Sequence, residues 1–67
     1  MWTFEESFVV YEVSVDGLLK HPKDKYDQNV FNRYGYETKE EAMREIILAD
    51  IPGNLVILPI VSRIYSR

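Results

Sequence analysis

Cysteine is absent from this sequence, and histidine occurs once, as His21. Without cysteine the chain can form neither disulfides nor thiolate metal sites, and it has no thiol nucleophile. The single histidine precedes a proline in a polar segment, and no second nitrogen or sulfur ligand follows at a metal-binding spacing. We therefore expect a protein from a reducing compartment that carries no metal or other cofactor.

Long apolar runs and an excess of basic residues are also missing. The longest apolar run, Leu55 to Val61, is about a third of the length that a membrane-spanning helix needs. Lysine and arginine number 8 against 11 aspartates and glutamates, which gives a net charge of -3. Broad electrostatic binding to nucleic acid requires many basic side chains that neutralise phosphates. These features predict a cytoplasmic protein without membrane association and without nucleic acid as its main partner.

Familiar catalytic patterns are absent as well. The serines lack the surroundings of a nucleophile elbow or of a serine–lysine pair. The adjacent carboxylates at 5–6 and at 40–41 point apart in any regular structure, so neither pair is placed for acid–base catalysis. The glycines occur singly and form no phosphate-binding loop. The sequence therefore predicts a protein that is not an enzyme and that acts by binding.

What the sequence does contain is enough apolar residues to fold. Hydrophobic residues make up 46% of the chain and charged residues 28%, a balance that excludes a disordered segment and indicates a soluble domain. A chain of this size buries only roughly 60% of its unfolded surface when it folds. We expect one domain over residues 1–67, whose stability increases when a partner covers more of its surface.

Two segments alternate between apolar and polar residues in the way that strands do. The first runs from Phe8 to Val15 and ends at Asp16–Gly17. The second runs from Val30 to Tyr36. The polar stretch between them, residues 18–29, has the composition of a long exposed loop. We predict that the two strands form an antiparallel hairpin.

A helix and a third strand follow. Thr38 and Glu41 match the capping box that starts helices, and Pro52–Gly53 ends the helix after about Asp50. A third strand is predicted over Leu55–Tyr65. The apolar stripe expected to face the sheet consists of Ala42, Met43, Ile46, Ile47 and Ala49.

The resulting order, β-β-α-β, predicts an α+β fold in which one helix packs on one face of a three-stranded antiparallel or mixed sheet. The simplest connection places the third strand beside the first and antiparallel to it, so that the second and third strands form the edges. Pro59 then lies on an edge strand, where its missing N–H is tolerated.

One helix covers only one face of such a sheet, and the other face is too apolar to remain in water. We therefore expect a homodimer or a larger homo-oligomer, formed by packing of sheet faces or by pairing at the edge of the third strand. Trp2 and Phe4 add to this uncovered apolar surface. The residues predicted at the interface are Phe8, Val10, Phe31, Leu58 and Ile60.

Arginine and tyrosine occur together on the second predicted strand and at the end of the third. A guanidinium group binds phosphate and an aromatic ring stacks on a base, so these side chains could form a pocket between subunits for an anionic nucleotide. The competing interpretation is that Tyr34 and Tyr36 pack under the helix with Tyr11. The arginines would then pair with Glu12 or Glu37 and cover apolar surface with their stems. The residues concerned are Arg33, Tyr34, Tyr36, Arg63 and Tyr65.

Three features also follow the plan of a known class of proteins. They are the segment Tyr11-Glu-Val-Ser-Val-Asp-Gly17, the capped helix after Thr38, and the segment Val56-Ile-Leu-Pro-Ile-Val-Ser-Arg63. A short cysteine-free chain with this plan resembles small bacteriophage accessory proteins. Some of those proteins block host defence, either by binding a defence protein or by sequestering its nucleotide messenger. The resemblance implies an accessory protein of the host cytoplasm, and it assigns no site residue.

Taken together, these features predict a non-enzymatic binding module, self-associated, that binds or inhibits a host protein. The alternative is a binder of an anionic nucleotide or, with less support, of nucleic acid.

Overall fold

A long antiparallel pairing between the first and last strands dominates the fold. The computed structural model describes residues 2–65, with side chains described for residues 2–64. It contains β1 (Trp2–Val13), β2 (Leu19–Lys20), α1 (Lys39–Ala49) and β3 (Leu55–Tyr65). The three strands form one antiparallel sheet in the order β2-β1-β3. The predicted α+β class, the β-β-α-β order and the central position of the first strand are confirmed.

The pairing of β1 with β3 explains how a proline is accommodated within a strand. The register places Phe8 opposite Pro59. The N–H of Phe8 donates to the Tyr36 carbonyl at 2.8 Å, and the Phe8 carbonyl accepts from the Tyr36 N–H at 2.9 Å, on the other side of β1. Opposite residues of an antiparallel ladder alternate between hydrogen-bonded and non-hydrogen-bonded pairs. Since the backbone groups of Phe8 point toward Tyr36, Phe8 and Pro59 form a non-hydrogen-bonded pair. The proline nitrogen therefore faces the outer edge of β3, and no bond to β1 is lost.

The second strand differs from the prediction. Residues Leu19–Lys20 form β2, and they pair with Val13 and Glu12 across a short hairpin. In the hairpin loop Gly17 donates to the Ser14 carbonyl at 2.9 Å and has φ of 81°. A three-residue loop that ends in a left-handed glycine is a common hairpin geometry. The end of the first strand at Asp16–Gly17 was thus a hairpin turn rather than the start of a long loop.

The predicted strand Val30–Tyr36 is wrong, and the reason lies in its turn residues. Asn32 accepts twice from its own turn, through its side chain from the Tyr34 N–H and through its carbonyl from the Gly35 N–H, both at 3.0 Å. Gly35 has φ of 93°, outside the strand region. Side chains of asparagine compete with strand hydrogen bonds in this way. Of the predicted strand, Tyr36 forms an isolated bridge with Phe8.

The helix begins and ends close to its predicted bounds. The Thr38 hydroxyl accepts from the Glu41 N–H at 3.1 Å, which is the first half of the predicted capping box. At the other end Asp50 adopts a left-handed conformation with φ of 48°, and its N–H donates to the Ile46 carbonyl. The cap and the left-handed residue define a helix of 11 residues.

The core of the described residues lies between the helix and one face of the sheet, which we call the helix-side face. Val10, Phe31 and Ala42 are buried at its centre. Two residues expected in the helix stripe, Met43 and Ile47, are exposed instead. They lie away from the side of the helix that carries Ala42, which is buried with Val10 and Phe31. The partly buried residues that complete the core are Phe8, Val30, Tyr36, Ile46, Ala49, Ile51, Leu55 and Ile57.

The opposite face of the sheet is partly covered by the long connection between β2 and the helix. Val9 lies on this face and is 3% exposed. Gly35 lies so close to it that a Cβ atom at position 35 would stand 2.8 Å from the Ser7 Cβ and 3.0 Å from a Val9 methyl group. Further along the face, the rings of Tyr11 and His21 pack against each other in a tilted arrangement, with centroids 5.0 Å apart. The connection therefore shields part of the face that one helix leaves open.

The contact between Gly35 and β1 generates a prediction with an internal control. Gly35 and Gly17 both have positive φ, but a Cβ at position 17 would meet no atom within 4 Å. Gly17→Ala should lower the free energy of unfolding by about 1 kcal/mol, from the left-handed backbone alone. Gly35→Ala carries the same backbone strain and a steric clash, and it should cost about 2 to 4 kcal/mol. Urea unfolding of both variants measures the difference, and equal costs would contradict the close packing of Gly35 on β1.

Candidate interaction surface

The helix is much shorter than the strands on which it packs. Its 11 residues rise about 16 Å, whereas the 12 residues of β1 extend about 40 Å. The helix covers the end of the sheet that contains Val10 and Leu55. The other end, residues 2–6 of β1 paired with residues 61–65 of β3, projects beyond it as a two-stranded ribbon. We call this ribbon the arm, and it is consistent with the longest dimension of 42 Å.

The arm carries large apolar side chains in water. On its helix-side face Trp2 is 52% exposed, Phe4 is 68% exposed and Val61 is 60% exposed. The guanidinium carbon of Arg63 lies 4.4 Å from the centroid of the Trp2 ring, which is a cation–π contact. On the opposite face Ile64 is also exposed, as is Ile60, which lies next to the arm on β3. A ribbon of this kind has no core of its own, since apolar groups lie on both faces with no second layer above either.

The two edges of the sheet differ in the arm region. Residues of β1 with even numbers direct their backbone groups away from β3, as the Phe8–Tyr36 bonds show. By the same alternation, the backbone groups of Phe4 and Glu6 point away from β3. On that side of β1, Tyr36 and β2 pair only with residues from Phe8 onward, so the edge at Phe4 and Glu6 is open in the described residues. The outer edge of β3 contains Pro59, which cannot donate a hydrogen bond there. Of the two edges, that of β1 is the better prepared to accept another strand.

The predicted nucleotide-binding residues fall in two separate places. Arg33 and Tyr34 lie in the turn at residues 32–35, and the Arg33 guanidinium carbon is 5.1 Å from the Tyr34 ring centroid. Arg63 stacks on Trp2 in the arm. Tyr36 packs against the core and its hydroxyl accepts from the Asn32 N–H at 3.0 Å. The side chain of Tyr65 lies outside the described residues. Within one chain, therefore, the two arginines belong to different cation–π pairs.

The competing interpretation of these residues holds only in part. Tyr36 packs against the core as that interpretation requires, whereas Tyr34 is exposed. Tyr11 lies on the face opposite the helix, against His21. The carboxylate of Glu12, expected to pair with an arginine, lies 3.5 Å from the ammonium group of Lys20 instead.

The predicted interface residues are also divided by the structure. The predicted placement of Phe8, Val10 and Phe31 on the uncovered face is wrong. Val10 and Phe31 are buried in the core and Phe8 packs against it, because β1 turns its even-numbered residues toward the helix. Leu58 and Ile60 lie on the opposite face, where Ile60 is exposed.

Trp2 and Phe4 add exposed apolar surface as expected, but the predicted first strand began at Phe8 and did not include them, whereas β1 begins at Trp2. The signal was present in the sequence. Trp2 and Phe4 continue, in steps of two residues, the alternation that places Phe8 and Val10 on one face.

The described residues contain neither a concave pocket nor a cluster of metal-binding side chains. Their helix is too short to cross a membrane. The surface features available for binding in this part of the chain include the apolar faces of the arm, the open edge of β1 and the exposed helix residues Met43, Ile47 and Leu48. Comparison with protein-family models, with curated proteins and with solved structures found no match.

The division between buried and exposed apolar residues can be tested with two valines on the same face of the sheet. Val10 is 1% exposed and Val61 is 60% exposed. Val10→Ala should lower the free energy of unfolding by about 2 kcal/mol, because it leaves a cavity under Ala42 and Phe31. Val61→Ala should lower it by less than about 1 kcal/mol, from strand propensity alone. Urea unfolding in dilute solution measures both, and a larger cost at Val61 would mean that the arm is covered in the folded monomer.

Proposed function

We propose that this chain is a non-enzymatic protein-interaction module and that the arm is its contact surface. One observation supports the proposal above the others. The strands of the arm extend past the helix and hold Trp2, Phe4 and Val61 in water on one face and Ile64 on the other. Contiguous apolar surface of this kind on a small protein marks an interaction site, since its exposure lowers solubility and gains nothing for the isolated fold.

The shape of the arm favours another polypeptide as the partner. Small-molecule sites are concave and enclose most of their ligand, and the described residues contain no such pocket. A ribbon with side chains alternating on two faces and an open strand edge matches the way in which proteins add a strand to a sheet. In that mode backbone hydrogen bonds supply affinity, and alternate side chains supply specificity. The anchors in this chain would be Trp2 and Phe4, because large aromatic residues carry much of the binding energy at protein interfaces.

Together with the resemblance to bacteriophage accessory proteins, this surface supports a more specific form of the proposal. The chain acts as a phage-type accessory protein, and it binds and inhibits a host protein through the arm. The apolar arm supplies the contact surface that such an inhibitor needs, and the absence of catalytic patterns in the sequence agrees with action by binding.

Photo-crosslinking from the arm tests the proposal. A benzophenone side chain introduced as Val61→benzoylphenylalanine should form covalent products with another polypeptide when the chain is irradiated in an extract of its natural host cell. The matched control is Tyr26→benzoylphenylalanine, because Tyr26 is at least as accessible, at 72% exposure, but lies in the connection between β2 and the helix, outside the arm. Wild-type chain in excess should compete with the products from position 61. Equal products from both positions, or none from position 61, would refute the arm as the contact surface.

The nucleotide-binding alternative has a separate test. Its support is the presence of two stacked pairs, Arg33 with Tyr34 and Arg63 with Trp2, since each combines a phosphate-binding group with an aromatic face. A nucleotide supplied at 100 times its dissociation constant would stabilise the folded chain by about 2.7 kcal/mol. We expect no such shift in thermal unfolding with a panel of linear and cyclic nucleotides. A shift that Arg33→Ala and Arg63→Ala both abolish would favour the nucleotide instead.

A further inference from the structure

We propose that the first occupant of the arm is a second copy of this chain, paired antiparallel along β1 over residues 2–6 and related to the first copy by a two-fold axis at Phe4. The two sheets then join into one continuous sheet in which the β1 strands of the two copies are neighbours. This inference rests on the proposed function, because it names the partner of the same surface.

The backbone of β1 is prepared for this pairing. Phe8 directs its N–H and carbonyl to Tyr36. Because backbone groups alternate in direction along a strand, the N–H and carbonyl groups of Phe4 and Glu6 point to the same side as those of Phe8. The pairings described on that side of β1 involve Phe8, Glu12 and Val13, all beyond the arm. In the dimer the two Phe4 residues exchange a pair of backbone hydrogen bonds across the axis. Glu6 of each copy lies opposite Trp2 of the other.

The outer edge of β3 is the less suitable edge, although the sequence pointed to it. The nitrogen of Pro59 faces outward there, because Phe8 forms its backbone bonds on the other side of β1. A strand added to β3 would lack a donor at that position, in the middle of the edge. Proline at this site protects β3 from pairing, and no proline occurs between Trp2 and Val13 of β1.

Charge complementarity selects the register. With the axis at Phe4, Glu6 of one copy stands opposite Trp2 of the other, on the same face. The Arg63 guanidinium already lies over that Trp2 ring at 4.4 Å. Each copy therefore brings an arginine to a carboxylate of its partner, and the two-fold axis produces this contact twice. On the other face, Glu5 lies opposite Thr3, so no two like charges are directly opposed.

The neighbouring registers are less favourable. An axis at Glu5 places Glu5 directly opposite its own copy, and an axis at Glu6 does the same for Glu6. The axis at Glu6 would also place Phe4 of one copy opposite Phe8 of the other. The N–H and carbonyl of Phe8 are already hydrogen-bonded to Tyr36 and could not pair with Phe4. An axis at Thr3 pairs only the first residues of the arm and leaves Glu6 outside the ladder. The position at Phe4 gives the longest pairing without repulsion.

The pairing also removes aromatic surface from water. Phe4 of one copy lies beside Phe4 of the other, and the Trp2 rings lie at the two ends of the same row. Both are exposed, Phe4 at 68% and Trp2 at 52%. The interface is nevertheless short, and no helix packs over it in the described residues. We therefore expect a dimer with low affinity.

Two charge reversals provide the decisive experiment. Glu6→Arg gives a chain with arginine at both positions 6 and 63, and Arg63→Glu gives a chain with glutamate at both. In a dimer of either variant alone, the side chains at position 6 of one copy and position 63 of the other would carry like charges. In a mixed dimer both of these contacts would join unlike charges. Sedimentation over a dilution series should show a wild-type dimer, a dissociation constant at least tenfold higher for each variant alone, and recovery of the dimer when the two are mixed. Recovery also shows that both variants fold.

Backbone methylation tests the edge itself, and the chain is short enough for chemical synthesis. Methylation of the Phe4 nitrogen removes a donor from the open edge of β1 and leaves every side chain in place. It should raise the dissociation constant roughly tenfold or more, because the symmetric dimer loses two hydrogen bonds. Methylation of the Val61 nitrogen is the matched control. That group faces the outer edge of β3, as Pro59 does, and its loss should leave the dimer unchanged.

The outcomes separate this inference from the proposed function. A wild-type chain that stays monomeric at high concentration overturns the dimer, as do variants that dimerise no better when mixed than alone. Greater loss from methylation at Val61 than at Phe4 would also overturn it, in favour of the β3 edge. Crosslinks from position 61 to a different protein, with a monomeric chain, would refute the dimer and leave the arm as the contact surface.

Discussion

The antiparallel ladder between β1 and β3 fixes the position of everything else in this protein. It runs from Glu12 opposite Leu55 to Trp2 opposite Tyr65, so it joins segments that are far apart in the sequence. The helix is connected to the start of β3 by only a few residues, which ties its end to the Leu55 end of the ladder. Since the helix is less than half as long as the strands, it cannot reach the other end. The bare arm is a consequence of this difference in length.

The connection between β2 and the helix compensates for part of what one helix cannot cover. Phe31 enters the core beneath the helix, while Gly35 lies against Val9 on the other face of the same strand. A segment that crosses from one face to the other must pass the edge of the sheet, and it does so where Tyr36 bridges Phe8. The bridge therefore both ends the open edge of β1 and allows the connection to shield Val9. N-terminal to Ser7 this shielding stops, and residues 2–6 are exposed.

The two edges of the sheet differ in their capacity to accept another strand. Proline at position 59 leaves the β1–β3 ladder intact because its nitrogen points outward, and in that orientation it blocks strand addition to β3. The β1 edge has no such protection along the arm, and it carries exposed aromatic side chains. A small core with few fully buried residues gains stability from any partner that covers the arm. In the proposed dimer, folding and association would therefore be linked through the same surface.

The sequence by itself determined the elements whose signals are local. The Thr38 cap and the bounds of the third strand were predictable because capping and apolar runs act over a few residues. The same local logic failed at Val30–Tyr36, where alternation suggested a strand but Asn32 and Gly35 formed a turn. Only the tertiary structure decided which face of β1 meets the helix, since both faces are apolar and the choice depends on where the helix packs. It also decided that Arg33 and Arg63 lie in separate pairs and that Trp2 and Phe4 project beyond the core, because these depend on the register and relative lengths of elements distant in sequence.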